Sequence, residues 1–217
     1  MSTLTVVRHG QARPFDRDSD RLSELGEEQS RTLAEYWKRL GVTFDEVWCG
    51  ALKRHRQTAE LACCFLPDLA PQISEDWNEY DANGILHNFA PPYELEPGAD
   101  RNRKFQKVFE PAMEAWLAAE QHPTVETWGV FSGRVLRGMR RIQEGPSNRS
   151  VVLFTSGGPV SVLVQAAIGA PVRSFLEVNW RVKNCSLTEF TFSKERISLD
   201  SFNTLPHLER VEMRTFR

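Results

Sequence analysis

Thr5-Val6-Val7-Arg8-His9-Gly10-Gln11 joins an apolar run directly to a cation, an imidazole and a glycine. Leu4, Val6 and Val7 predict a short buried strand, and Gly10 permits a sharp turn at its end. Ligands of α/β proteins gather beyond the carboxyl ends of the strands, so Arg8 and His9 stand where a ligand would be met. A guanidinium there suits a cluster of anionic oxygens, and a neutral imidazole is a potential nucleophile. On its own the triplet also describes a strand-end arginine beside a surface histidine. The rest of the chain decides between the two.

Working outward, Ser23 can cap a helix in which Leu33, Trp37 and Leu40 fall at helical spacing before Gly41. Phe44 to Cys49 reads as a second strand. Leu52, Ala59, Ala62 and Leu66 share one face of a second helix closed by Pro67 and Pro71, and Ile73 belongs to a third strand. This alternation implies a parallel sheet covered by helices. Between Asp76 and Asp100 the period breaks into Asn, Pro, Gly and aromatic residues. Two helices follow, marked by Phe105, Val108, Ala112 and Trp116, then by Trp128, Phe131, Val135 and Ile142. The uninterrupted run Val151-Val152-Leu153-Phe154 predicts a central strand, and Val160 to Ile168 a buried helix. Leu187 to Phe192 and Ile197 to Phe202 alternate around Lys194-Glu195 and read as a closing hairpin. The expected architecture is a three-layer α/β/α sandwich, its sheet mostly parallel with an antiparallel C-terminal edge. It forms one domain over 1–217, with an inserted lid-like segment at about 76–122.

Composition narrows the function. The 217 residues are 41% apolar, enough for a substantial core. A net charge of −2 gives no general attraction for nucleic acid or an anionic membrane. No stretch reaches a transmembrane length, and Met1-Ser2-Thr3-Leu4 lacks the basic start of a signal peptide. Cys49, Cys63, Cys64 and Cys185 form no Cys-x-x-Cys pair and read as buried thiols in a reducing cytoplasm. A cytoplasmic protein is expected.

Three further stretches speak to the first. Leu52-Lys53-Arg54-His55-Arg56-Gln57-Thr58-Ala59 places Arg54 near a helix N-terminus, itself favourable to anions, although such a run also makes a solvated face. Thr155-Ser156-Gly157-Gly158 offers backbone N–H groups between a buried strand and a helix, or simply a tight turn. Asn78-Glu79-Tyr80-Asp81 follows the third strand, and a carboxylic acid there can serve as general acid or lie on the surface.

In this order, the four stretches resemble the histidine phosphatase superfamily, the phosphoglycerate mutase-like family. Arg8-His9-Gly10-Gln11 matches its opening signature. Leu52 to Ala59 is similar to its second motif, Asn78-Glu79 to the position of its acid, and Asn184-Cys185-Ser186 with Asn203 to Leu208 to its C-terminal strand pair and tail. The resemblance spans almost the whole chain and implies a phosphomonoester hydrolase of histidine acid phosphatase type. His9 would carry a transient phosphohistidine, Arg8 and Arg54 would hold the phosphoryl oxygens with Ser156 and Gly157, and Glu79 would be general acid and then base. The resemblance implies no metal or organic cofactor. The substrate would be a phosphorylated small molecule or peptide. A mutase fits less well, because the inserted segment brings few basic residues beyond Arg101, Arg103 and Lys104.

One position departs from the pattern. The family has a second histidine just before the glycine pair, and this chain has Ser156, which donates a hydrogen bond but carries no charge. Loss of such a charged donor is worth on the order of 10²–10³ in rate, so a weak enzyme or a non-catalytic phosphate-binding or partner-binding module is the alternative. His55 and His87 are the candidate replacements. His55 is expected to point along its helix away from the pocket and His87 to lie on a loop surface. Trp77, Tyr80, Phe89 and Tyr93 are the aromatic candidates for a pocket mouth.

Overall fold

A computed structural model describes residues 1–13, 19–92 and 101–216, with the side chains of 101–103 undescribed. Tyr93 and the side chains of Arg101 and Arg103 therefore lie outside what is described. The elements run β1 (Ser2–Arg8), α1 (Glu24–Leu40), β2 (Glu46–Cys49), α2 (Lys53–Ala62), β3 (Gln72–Ile73), α3 (Ala82–Phe89), α4 (Arg101–Ala118), α5 (Trp128–Glu144), β4 (Ser150–Thr155), α6 (Gly157–Ala167), α7 (Ser174–Asn179), β5 (Leu187–Phe192) and β6 (Ile197–Thr204). Among the described residues the strands form one six-stranded sheet ordered β3-β2-β4-β1-β5-β6. The pairs β3–β2, β2–β4 and β4–β1 are parallel, while β1–β5 and β5–β6 are antiparallel. The mostly parallel sheet with its antiparallel edge is thus the one the alternation predicts.

The apolar run of β4 shows why the sheet lies between two layers. Val151 and Leu153 pack on the face covered by α3 to α7, and Val152 and Phe154 on the face covered by Leu33 and Trp37 of α1 with Ala59 and Ala62 of α2. A strand buried on both faces has no use for alternation. Helix α1 begins where Ser23 accepts the Gly26 N–H at 3.1 Å, and ends at Gly41 in the left-handed region. Helix α7 has no clear signal in the sequence.

Gly10 plays a different part from the one expected. Its φ is not positive, so it does not serve to permit an unusual turn. It is needed because α1 comes so close that a Cβ there would collide with the Gly26 carbonyl oxygen. Thr58 Oγ1 accepts the Gly10 N–H at 3.1 Å and fixes the loop onto α2.

The C-terminal tail packs back on the α1 side and buries His207 beside Tyr36, their ring centroids 6.2 Å apart. Neither His207 nitrogen has a hydrogen-bond partner, and burial lowers its pKa from 6.5 to about 4. The unfolded chain therefore binds a proton that the folded chain refuses, so this residue's share of stability is present above pH 6.5 and is lost as pH falls toward 4. The share amounts to about 3 kcal/mol. In His207→Leu, acid unfolding followed by circular dichroism should move to lower pH with neutral stability kept or raised; an unmoved midpoint refutes this.

Candidate active site

The predicted site residues all follow the carboxyl ends of neighbouring parallel strands. Arg8 at the end of β1 is in register with Thr155 at the end of β4, and the His9 N–H donates to the Thr155 carbonyl at 2.8 Å. The His9 carbonyl accepts from the Cys185 N–H at 3.1 Å and from Asn184 Nδ2 at 3.4 Å. These contacts leave the ring 5% exposed. Its Nδ1 lies 2.6 Å from the Gly10 carbonyl oxygen. That oxygen can only accept, so Nδ1 carries the proton and Nε2 keeps a lone pair. Burial, then Arg54, Arg8 and His55, hold the His9 pKa well below 6.5. The imidazole is neutral, as a nitrogen nucleophile must be.

Arg8 lines a cleft of about 460 Å³ together with Glu79, Tyr80, Gly157, Asn179 and Trp180, and its Nη1 donates to the Val182 carbonyl. Arg54 stands in the first turn of α2. Its Nη1 meets Asp20 Oδ1 at 2.7 Å, while Asp20 Oδ2 accepts the Lys53 N–H at 2.8 Å. Leu52, the residue at the helix start, makes no capping bond of its own. One aspartate thus caps the helix from a distance and aims the arginine. Arg54 opens onto a second hollow of about 670 Å³, and Glu79 and Tyr80 line both. The two guanidinium groups therefore converge on one carboxyl.

The chain carrying Glu79 is held at several points. Thr155 Oγ1 donates to the Trp77 carbonyl at 2.6 Å, and Asn78 Oδ1 accepts the Ala51 N–H at 2.7 Å. Arg134 donates to the carbonyls of Asp76, Asn78 and Glu79 at 3.1, 2.6 and 3.2 Å, and pairs with Glu126 at 2.7 Å. The Glu79 carboxyl oxygens accept the Gly158 N–H at 3.1 and 3.2 Å. A Cβ on Gly158 would strike Glu79 Oε1, so glycine is required there for the acid to reach the helix. This corrects one expectation: of the glycine pair, the Gly158 N–H is taken up by the acid, and Gly157 is the member lining the cleft. The Glu79 side chain opens onto the cleft but is enclosed enough that desolvation outweighs the Gly158 bond, Arg54 and Arg8, and raises its pKa above 4.5. A carboxyl so placed gives up its proton less readily than an exposed glutamate.

With the geometry in hand, the chain can be set beside known proteins. The model of the histidine phosphatase superfamily (branch 1) matches residues 4–205. The chain belongs to this superfamily. It is 22% identical over 217 residues to the uncharacterized phosphatase PhoE of Bacillus subtilis, covering 96% of this chain and 97% of that one. Its fold matches a phosphoglycerate mutase of Bacillus anthracis with a TM-score of 0.71 at 17% identity, over 95% of both chains. It also matches a putative alpha-ribazole-5'-P phosphatase of Escherichia coli with a TM-score of 0.66 at 24% identity, over 94% of this chain and 98% of that one. At such identities the structural matches establish the phosphoglycerate mutase-like fold.

Within this histidine phosphatase fold the two candidate replacement histidines part company. His87 is exposed, as expected, but it stands on helix α3 and not on a loop. His55 is not turned away: it is fully buried, its ring centroid 5.7 Å from that of His9, with Nε2 2.6 Å from Ser156 Oγ. It turns inward onto the residue that follows β4, where a serine stands. Of the aromatic candidates, Tyr80 lines the cleft, Trp77 is wholly buried, and Phe89 meets His122 with tilted rings, their centroids 5.1 Å apart. Sequence reasoning gave no part to Asp20, Thr58, Arg134 or Asn184. Thr58 and Asn184 do lie in the stretches that carry the family resemblance, whereas Asp20 and Arg134 had no signal beyond their charge.

Proposed function

We propose that this protein hydrolyses phosphomonoesters through a phosphohistidine on His9. The observation that carries the reading is a buried neutral imidazole, its Nδ1–H spent on Gly10, within the electrostatic reach of Arg54 and Arg8, the same two arginines that act on the Glu79 carboxyl. His9 Nε2 attacks phosphorus while Arg8, Arg54, Ser156 and the Gly157 edge of the cleft hold the non-bridging oxygens. As the P–O bond breaks, Glu79 gives its proton to the leaving oxygen. The Glu79 carboxylate then takes a proton from water, the water oxygen bonds to phosphorus, and the P–N bond breaks. The products are the alcohol and inorganic phosphate, and both His9 and Glu79 return to their starting forms.

The cleft volume suits a small-molecule ester. Tyr80, Phe109 and Trp180 on its walls favour a leaving group with a flat apolar face, and the segment at about 76–122 supplies two of the three. Glu79 must hold a proton at the first step and be ionised at the second, so its pKa sets the pH range of turnover.

Rapid mixing with a labelled aryl phosphate tests the reading. Up to one phosphoryl group per chain should accumulate on the protein, stable in alkali and lost in acid as a phosphoramidate is. Phosphate binding without turnover or adduct would make the protein a phosphate-binding module instead.

A further inference from the structure

Ser156 stands at the N-cap of α6 yet makes no capping bond. A serine there ordinarily accepts an N–H from the first turn, but Glu79 takes the Gly158 N–H. The hydroxyl instead lies 2.6 Å from His55 Nε2, and both residues are fully buried. The other ring nitrogen, Nδ1, has no partner and faces Gly50 so closely that a Cβ on Gly50 would overlap it. A bare lone pair fits against a Cα–H where an N–H would not, so the ring proton belongs on Nε2 and Ser156 Oγ accepts it. The serine's own proton then has no acceptor among the described residues. Ser156 lies between Thr155, which holds the His9 backbone, and Gly157, which lines the cleft with Arg8.

We propose that His55 and Ser156 work as one hydrogen-bond donor: His55 Nε2–H fixes the serine oxygen, and Ser156 Oγ–H donates to a phosphoryl oxygen during transfer. Ser156 is then the catalytic residue, and His55 is a positioning residue that acts through it. The proposal rests on the phosphatase reading above. It also reverses a simple expectation about Ser156→His. A ring at 156 would occupy the place that His55 fills, so this variant loses activity, although histidine is the better donor.

The experiment is a double-mutant cycle with an aryl phosphate, each variant checked for its thermal melt. Ser156→Ala should lower kcat by about 10²–10³-fold with KM moved less than about threefold. His55→Phe should cause a like loss, the double variant His55→Phe/Ser156→Ala no more than either, and His55→Gln, whose amide N–H still reaches the serine, a much smaller one. The exchange His55→Ala/Ser156→His should recover activity over Ser156→His alone, and it carries the test if His55→Phe does not fold. Full activity in His55→Phe, losses that multiply in the double variant, or an acid-stable phosphoserine at 156 each overturn the proposal.

The outcome separates from the parent reading. If the wild-type protein shows no His9-dependent turnover, the phosphatase reading fails by itself. Affinity for vanadate, which imitates the five-coordinate phosphorus of transfer, then judges the pair: equal weakening in Ser156→Ala and His55→Phe supports it, and unchanged affinity overturns it.

Discussion

His9→Ala is expected to lower turnover of an aryl phosphate by roughly 10⁵–10⁶-fold, the scale seen when a covalent nucleophile is deleted from a hydrolase. No other imidazole in the described structure can take over. His55 Nε2 is engaged with Ser156, His87 and His122 lie away from the cleft on α3 and in the segment after α4, and His207 is buried beside Tyr36 on the α1 side. The loss should fall on kcat, because the arginines proposed to hold the phosphoryl group are untouched. Arg54 is anchored by Asp20 and Arg8 by Val182, so inorganic phosphate or vanadate should bind within a few-fold of wild type. The variant should also fold. The His9 side chain bonds only to its own neighbour's carbonyl, and its backbone contacts with Thr155, Asn184 and Cys185 do not depend on the ring. Turnover above about a hundredth of wild type, measured with the variant expressed and purified apart from any wild-type protein, would remove His9 from the mechanism.

How much of this was legible in the sequence follows from how local each signal is. The β4 core was readable because Val151 to Phe154 must be buried on both faces, a demand that composition alone expresses. The place of Arg8, His9, Arg54 and Glu79 was readable because each ends or follows a strand, and parallel strands bring their carboxyl ends to one edge. What was hidden depends on contacts between distant segments. The inward turn of His55 is met by Ser156, 101 residues away, and by Gly50. The helix periodicity of α2 gives only the face from which a side chain starts. Arg134 was hidden for the same reason: nothing in α5 reveals that carbonyls 55 to 59 residues back need a donor. Gly10 shows a third kind of limit. The sequence marks it as special, but only the approach of Gly26 distinguishes closeness from turning.

Glu79→Gln should separate activity from stability in opposite directions. The amide cannot protonate a leaving oxygen, so kcat should fall by about 10²–10⁴-fold. The loss should be smallest for activated aryl esters, whose leaving oxygen needs little help, and largest for alkyl esters. Stability should rise instead. Desolvation raises the folded pKa of Glu79 above 4.5. Between 4.5 and that higher value, the folded chain holds a proton that the unfolded chain has released. Stability from this group is therefore full below 4.5 and declines as pH climbs through the folded pKa. Glutamine keeps the acceptor for the Gly158 N–H without ever ionising, so the variant escapes the decline. Urea unfolding should find Glu79→Gln more stable than wild type at pH 8 and nearly equal to it at pH 4. The same proton governs the kinetics. In the wild type, single-turnover phosphorylation of the protein should slow as pH rises through the Glu79 pKa, while release of phosphate from the adduct should quicken until the carboxylate is fully formed. A variant as active as wild type shows that the carboxyl beside Gly158 is not the proton donor, and one no more stable at pH 8 shows that burial does not raise its pKa.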